Sequence, residues 1–225
     1  MMSRTESTRI PRRTVRAFNK MRTEKSVLCK APFVSMSIGM DGKVSPCCYT
    51  QAAEDGMEVF FPQKSLMEIW QGDVFHAYRR HMKKKRLPSS CDICREKLER
   101  EEFSAVKILE YEHYTGTKAY PALIEIAVDN TCNLECVMCN SRLSSSIAAR
   151  EGLPADAGLD LGELYRQLQP FLPHLEEMIC TGGEPFLSRF YFKLWEKLIE
   201  VNPQCKITLN TNATHVPDKA KQLME

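Results

Sequence analysis

Three cysteines directly after a strand-like segment are the residues best suited to chemistry in this sequence. Cys132, Cys136 and Cys139 lie within eight positions, in the stretch DNTCNLECVMCN. Closely spaced cysteines bind a metal through their thiolates, pair as disulfides, or fill a core as small apolar residues. Zinc is one interpretation, but no histidine lies nearby to serve as the fourth ligand of a structural site. The composition of the whole chain helps to separate these interpretations.

That composition favours metal binding over disulfides. The chain has 225 residues and ten cysteines, and its longest apolar run, ALIEIAV, is far shorter than the roughly 20 residues that cross a bilayer. We therefore expect no membrane span. The basic N-terminus lacks the apolar stretch of a secretory signal, which predicts a cytoplasmic protein. In a reducing cytosol, cysteines in such number are typical of metal sites.

A second set of four cysteines frames the first half of the chain. They are Cys29, Cys47 and, in the Cys-x2-Cys turn CDIC, Cys91 and Cys94. Four thiolates form a closed site that suits zinc and an iron–sulfur cluster equally well. Cys48 competes with Cys47, because neighbours on a strand point to opposite faces and one of the two is expected to face the site.

Four further residues of metal-binding types are left outside both sets. His76 and His81 lie on a predicted helix among charged residues, and we expect them to face solvent. Cys180 and Cys205 lie at the end of one predicted strand and the start of another. Both are expected to be small buried residues.

Residues 1–27 form a basic segment. Residues 1–25 contain eight Lys or Arg against Glu6 and Glu24, although the net charge of the whole chain is only +2. Such a segment could contact nucleic acid or an acidic partner. Because it has few aromatic residues and no recognisable DNA-reading motif, we expect a flexible, solvent-exposed arm.

Residues 28–105 predict a small α+β domain. In FVSMSIGMDGKVSPCCY, apolar and polar residues alternate around an Asp-Gly pair, which predicts a β-hairpin. Two helices are predicted by SLMEIW, where Ser65 and Glu68 have capping-box spacing, and by DVFHAYRRHM. The basic run 83–86 is interpreted as the solvent-exposed end of the second helix.

From residue 122 onward, strands alternate with helices. ALIEIAV, EEMIC and KITLN are strand-like, whereas LGELYRQLQPFL and RFYFKLWEKLIEV are helical. Such alternation predicts a parallel sheet with right-handed crossovers, and chemistry in such sheets collects at the carboxyl ends of the strands. The cysteine loop follows the first strand, TGGEP the second and NTN the third. We expect these three loops to build one site.

The order of these pieces resembles the radical S-adenosylmethionine (SAM) superfamily. Cys132-x3-Cys136-x2-Cys139 follows the first strand, and Gly182-Gly183-Glu184-Pro185 follows the second. Without the cysteine loop, TGGEP would indicate a plain turn. The resemblance implies a four-iron, four-sulfur cluster on three thiolates, with SAM bound to the open iron. It also implies reductive cleavage of SAM to a 5′-deoxyadenosyl radical, in which the cofactor supplies the chemistry and the protein supplies placement.

The same resemblance implies roles for five residues around SAM. Gly182 and Gly183 would let the backbone approach the methionine part of the cofactor, because they lack side chains. Glu184 would hold the ammonium group. Asn210 and Asn212 would contact the cofactor from the end of the third strand. No residue is assigned a catalytic role.

The resemblance extends back to residue 28, through the auxiliary-cluster region of the SPASM and twitch subfamilies. APF, DGKVSPCC, SLMEIW and CDIC have close counterparts in a group of twitch-domain radical SAM proteins whose auxiliary cysteines precede the barrel. This implies a second four-iron cluster, held by Cys29, Cys47, Cys91 and Cys94. A cluster with four protein ligands suits electron transfer or a structural role better than SAM binding.

The expected fold is α/β. Residues 106–225 should form a partial (β/α) barrel of parallel strands, preceded by the α+β auxiliary-cluster domain with its hairpin in residues 28–105. Because a βαβ unit takes about 30 residues or more, residues 122–225 hold three strands, or about three of the six βα units of the family's partial barrel. We expect either a truncated chain or a half that needs a partner chain to complete the barrel.

The expected function is that of a radical SAM enzyme that modifies a peptide, a protein or another small substrate. An electron donor such as flavodoxin or ferredoxin is the expected protein partner, and neither a membrane nor nucleic acid is expected. The alternative is a non-enzymatic module that binds zinc or an iron–sulfur cluster and contacts nucleic acid through its basic arm.

Overall fold

The chain folds into two compact units. The computed structural model describes residues 7–50, 57–153 and 158–224. One unit comprises Met1–Ser37 and Val44–Ala122, and the other comprises Ile38–Lys43 and Leu123–Glu225. This division falls at residue 122, whereas the boundary expected from the sequence falls at residue 105.

The first unit begins with strand β1 (Ser7–Arg9) and helix α1 (Arg12–Phe18). β1 pairs antiparallel with β4 (Arg86–Pro88). Ile10 and Phe18 have 1% and 0% exposed surface. The expectation of a flexible arm therefore differs from the structure from residue 7 onward, because these two apolar side chains anchor the segment in the core. Residues 1–6 of that predicted arm lie outside the described residues.

A short helix and a hairpin follow. Helix α2 (Ala31–Val34) leads into β2 (Ser35–Ile38), and β3 (Val44–Ser45) lies after a turn. In that turn Gly42 N–H donates to Gly39 O at 2.9 Å, and Gly42 has φ 80°. The left-handed conformation explains why glycine follows aspartate at this position.

Three helices complete the regular structure of the first unit: α3 (Leu66–Trp70), α4 (Asp73–Lys83) and α5 (Asp92–Glu99). The predicted capping box is confirmed, because Ser65 Oγ accepts from Glu68 N at 3.2 Å and Glu68 Oε2 accepts from Ser65 N at 2.8 Å. A 3₁₀ segment, Lys107–Tyr111, lies further along the chain.

The second unit contains the predicted parallel strands, β5 (Leu123–Ala127), β6 (Glu177–Thr181) and β7 (Lys206–Leu209). Both β5 with β6 and β6 with β7 pair in parallel. Their helices are α6 (Ser145–Arg150), α7 (Leu161–Leu168), α8 (Arg189–Val201) and α9 (Asp218–Met224). Within the described residues these strands form an open sheet and not a closed barrel.

Helix α8 packs on this sheet through a buried aromatic and aliphatic face. The hydroxyl of Tyr191 lies 2.7 Å from both Ile126 O and Thr181 O, so its single proton can bond to the end of either strand. Trp195 stacks on Tyr191 with ring centroids 5.7 Å apart. Across both units, none of the described helices has the length and apolar character needed to span a bilayer.

Candidate metal centres

The structure brings the three cysteines of the second unit together on the loop after β5. Cys139 N–H donates to Cys136 O at 2.9 Å. Desolvation, followed by the neighbouring Cys136 and Cys132, raises the pKa of the Cys139 thiol. All three residues are partly exposed, so a ligand can reach them.

Consecutive serines at the start of α6 hold this cysteine loop. Ser145 Oγ accepts from Cys132 N at 3.0 Å and lies 3.1 Å from Cys132 O, and Ser146 Oγ donates to the same carbonyl at 2.8 Å. Ser144, which caps α6, donates from Oγ to Leu134 O at 2.7 Å. These serines were not among the predicted site residues, although three serines before a helical segment are a visible signal of capping.

The tip of the loop carries two exposed apolar side chains. Val137 is 97% exposed and Met138 is 80% exposed. Burying large apolar side chains is normally favourable, so their exposure beside the cysteines leaves apolar surface available to a cofactor or substrate.

The glycines of TGGEP lie against the chain segment that leads into the cysteine loop. Gly183 N–H donates to Asp129 O at 3.0 Å, and Glu184 N–H donates to Thr131 O at 2.6 Å. A Cβ on Gly182 would lie 2.7 Å from Asp129 O, and one on Gly183 would lie 2.3 Å from Thr131 O. The glycines therefore permit close backbone packing that positions the cysteine loop. Their predicted approach to SAM stays a prediction.

Glu184 ties the loops after β6 and β7 together. It is only 3% exposed. Its Oε1 accepts from Thr211 Oγ1 at 2.7 Å and from Phe186 N at 3.0 Å, and its Oε2 accepts from Asn212 N at 2.7 Å. The carboxylate is thus already held by hydrogen bonds from the protein, and its contact with the SAM ammonium stays a prediction.

Of the two predicted asparagines, Asn212 lies beside the cysteine loop. Its Nδ2 is 3.9 Å from Cys132 Sγ and 3.0 Å from Asn133 Oδ1. Asn210 extends the sheet through its N–H, which donates to Cys180 O at 3.0 Å, and it is exposed. The loop after β7 therefore meets the cysteine loop through Asn212.

In the first unit, Cys29, Cys47, Cys91 and Cys94 line one pocket. Cys48 does not line it, which favours Cys47 as the fourth member of the set. The rest of the wall is largely apolar and includes Ala31, Pro32, Met82, Leu87, Ile93 and Ile108.

Of the four cysteines, Cys29 and Cys94 are buried, whereas Cys47 and Cys91 are partly exposed. Hydrogen-bond donors lie beside Cys94 and Cys47. Burial raises the pKa of Cys29 to about 12, and burial also raises the pKa of Cys94. The backbone N–H groups of Lys107 and Ile108 act in the opposite direction at Cys94 by donating to its sulfur. Tyr111 donates its hydroxyl to Cys47 Sγ at 3.1 Å. A metal would replace the thiol protons, so this donor set fits a buried thiolate-ligated centre.

Among the described residues, no three His, Cys, Asp or Glu side chains lie close enough together to hold one metal ion. Zinc would require its sulfurs about 2.3 Å from a shared centre, whereas the ligands of an iron–sulfur cluster bind separate irons.

Comparisons with known proteins cover both sites. Residues 126–225 match the family model of the radical SAM superfamily. Residues 29–95 match that of an iron–sulfur cluster-binding domain, SPASM. No solved structure matches the chain.

Two curated relatives are similar to part of the chain. A GTP 3′,8-cyclase of Limosilactobacillus fermentum is 27% identical over 119 residues, which is 51% of this chain and 32% of the relative. A GTP 3′,8-cyclase of Campylobacter lari is 25% identical over 103 residues, which is 45% of this chain and 30% of the relative. The matched part thus covers about a third of the length of these relatives.

Proposed function

Because this chain belongs to the radical SAM superfamily and carries a SPASM-type cluster domain, we propose that it is an enzyme that cleaves SAM reductively at the cysteine loop of the second unit. The observation that carries this proposal is the convergence of that loop with TGGEP. Cys132, Cys136 and Cys139 are grouped and accessible, and Gly183 and Glu184 hydrogen-bond to the residues that lead into them.

The cofactor would supply electron transfer to the sulfonium of SAM, and the residues of this chain would supply placement. Three cysteines fit a four-iron cluster that keeps one iron open. Ser145 and Ser146 hold the backbone of Cys132, and the close packing at Gly183 holds the segment before it. We propose that SAM lies beside Gly182, Gly183 and Glu184, and that Asn212 borders the same site.

The four-cysteine pocket is proposed to hold an auxiliary iron–sulfur cluster. It belongs to the proposed domain 28–105, and the SAM site belongs to the proposed domain 106–225. Four thiols that line one largely apolar pocket support this assignment, because a fully ligated cluster needs no open position. We propose that this cluster transfers electrons or has a structural role.

The substrate is proposed to be a peptide or another small molecule, and the reductant a donor such as flavodoxin or ferredoxin. The name of the two relatives includes GTP, but they are at most 27% identical to this chain. We therefore treat GTP as one compound to test among small-molecule substrates. We also propose that the protein acts in the cytoplasm.

The deciding experiment is anaerobic reconstitution with iron and sulfide, followed by dithionite and SAM and by quantification of 5′-deoxyadenosine. We expect the product from the native chain, none from Cys136→Ala, and native levels from Cys205→Ser, a control outside both cysteine sets. Cys136→Ala should keep the auxiliary iron, and Cys94→Ala should keep the iron of the other site. A colourless protein with stoichiometric zinc and no iron would instead support the metal-binding module.

A further inference from the structure

Basic side chains surround a large cavity in the first unit. The cavity has a volume of about 680 Å³ and is separate from the four-cysteine pocket. Its lining contains six Lys or Arg residues and one His, but no Asp or Glu. These basic residues are Lys30, His76, Arg79, Arg80, Lys83, Lys84 and Lys118.

Three separate segments contribute these cations. Lys30 precedes α2, five of the seven basic residues lie on α4 or at its end, and Lys118 lies in the loop before β5. The sequence alone predicted that the run 83–86 is a helix end in solvent. Helix α4 does end at Lys83, and Lys83 and Lys84 are exposed, as predicted. The fold adds that both line a concavity together with cations that are distant in sequence.

No described carboxylate forms an ion pair with these six Lys and Arg residues. Lys30 Nζ donates to Glu112 O at 3.3 Å, and Arg79 Nε donates to Pro32 O at 2.8 Å, but both acceptors are backbone carbonyls. Carbonyls orient a cation without cancelling its charge. The positive potential of the cavity is therefore not compensated by these partners.

Arg79 is partly buried, and no described carboxylate forms an ion pair with it. Its guanidinium lies 4.4 Å from the ring centroid of Trp70 and 5.6 Å from that of Phe75. Burial lowers its pKa to about 10. A partly buried charge held without a countercharge is costly, and an anion from solution would offset that cost.

We propose that this cavity binds a small molecule that carries two or more phosphate groups. Its volume lies within the range of about 300–1,000 Å³ that is usual for small-molecule sites. Arg and Lys are the side chains that proteins use for phosphate, and several converging cations suit a ligand with several negative charges. A neighbouring cavity of about 450 Å³ is lined by Arg9, Lys83, Lys84, Lys85 and Arg86, and it shares Lys83 and Lys84 with the 680 Å³ cavity. This neighbouring basic surface gives room for further phosphate groups.

Exposed cations provide the test variants. Arg80, Lys83 and Lys118 are exposed, so replacing all three by Gln should leave the fold intact while removing three charges from the cavity. The matched control replaces Arg12, Arg13 and Lys20 by Gln. These three residues are also exposed, and none of them lines either basic cavity.

The experiment is isothermal titration calorimetry of the reconstituted chain with inorganic tripolyphosphate at low salt. We expect one ligand per chain, affinity that falls as salt is added, and weakening of about tenfold or more in the cavity variant, because charge pairing is screened and depends on local cations. The control variant should stay within about twofold of the native chain, since its charges lie outside the site. Circular dichroism and iron content should be unchanged in both.

Three results would overturn the proposal. The first is no measurable binding at low salt. The second is equal weakening by the cavity variant and the control variant, which would mean that net charge and not this site attracts the anion. The third is binding of citrate, or of a short single-stranded RNA, at least as tight as that of tripolyphosphate, which would indicate a carboxylate or nucleic-acid site.

Discussion

The hydroxyl of Tyr111 donates a hydrogen bond to Cys47 Sγ across 3.1 Å. Tyr111 is 2% exposed and lines the pocket of the four cysteines. Burial, followed by the neighbouring Cys47, raises the pKa of the Tyr111 phenol above its ordinary value of about 10, so the phenol keeps its proton near neutral pH and can donate to a thiolate. Hydrogen bonds to cluster sulfurs stabilise the reduced, more negative state and raise the reduction potential.

Tyr111→Phe should therefore lower the reduction potential of the auxiliary cluster, because it removes this donor and keeps the ring. The measurement is a redox titration monitored by electron paramagnetic resonance. The cluster on Cys132, Cys136 and Cys139 serves as the internal control, and its potential should not move. Equal potentials of the auxiliary cluster in variant and native protein would show that the hydrogen bond is absent in the loaded site.

The role of both cysteine sets as metal ligands stays a prediction. Sequence spacing placed Cys132, Cys136 and Cys139 on one short loop, whereas Cys29 and Cys94 are 65 positions apart and reach one pocket only through the fold. Sequence spacing could not predict the environment of Glu184. Thr211 and Asn212, which donate to it, come from the next loop, and the parallel register of β6 and β7 brings them together.

The burial of Phe18 was also hidden in the sequence. An isolated apolar residue in a basic segment shows no helical or strand periodicity, so the composition predicted a flexible, solvent-exposed arm. Tertiary packing buries this residue, since Phe18 lies against Phe103 with ring centroids 5.6 Å apart. The basic cavity was hidden for the same reason, because Lys30 and Lys118 join α4 only in the fold.

Gly183→Ala should misplace the cysteine loop. The new Cβ would lie 2.3 Å from Thr131 O, a backbone atom that cannot rotate away. We expect a loss of about 1–3 kcal/mol in the free energy of unfolding, the usual cost of overpacking, together with reduced iron at the SAM site. Gly162→Ala is the control, since its Cβ would meet only a side-chain oxygen at 3.3 Å. Chemical denaturation and iron analysis compare the two, and equal behaviour would contradict the packing role.

Glu184→Gln separates a direct contact with SAM from a purely structural role. The amide keeps one oxygen acceptor and places an NH2 group where an acceptor was, so we expect weaker SAM binding with iron retained. Thr211→Val is the matched control, because it removes one donor to Glu184 without touching the charge. Calorimetric titration with SAM should show a loss at least about tenfold larger for Glu184→Gln than for Thr211→Val, as expected for a charge-assisted hydrogen bond. Equal losses would assign Glu184 to loop positioning alone.

Glu112 anchors the start of the first unit through a buried ion pair. It pairs with Arg22 Nε, and its Oε2 accepts from Thr23 N at 3.1 Å. Burial acts to raise the pKa of Glu112, but the hydrogen bond and charge of Arg22 outweigh it, and the net pKa is lowered. A carboxyl whose pKa is lower in the folded state stabilises the protein above its unfolded pKa, and that stabilisation is lost as the pH falls through the folded pKa.

Glu112→Gln should therefore lower the free energy of unfolding at pH 7 by about 3–5 kcal/mol, because the buried Arg22 loses its countercharge. The deficit relative to the native chain should stay constant from pH 8 to about 5 and shrink only below the ordinary carboxyl pKa of about 4.3. Glu110→Gln is the control, since its ion pair with Lys107 is largely exposed on the Glu side and should contribute about 0–1 kcal/mol. Chemical denaturation across this pH range decides the outcome. A deficit of similar size in both variants at pH 7 would mean that the pair with Arg22 behaves as a surface ion pair.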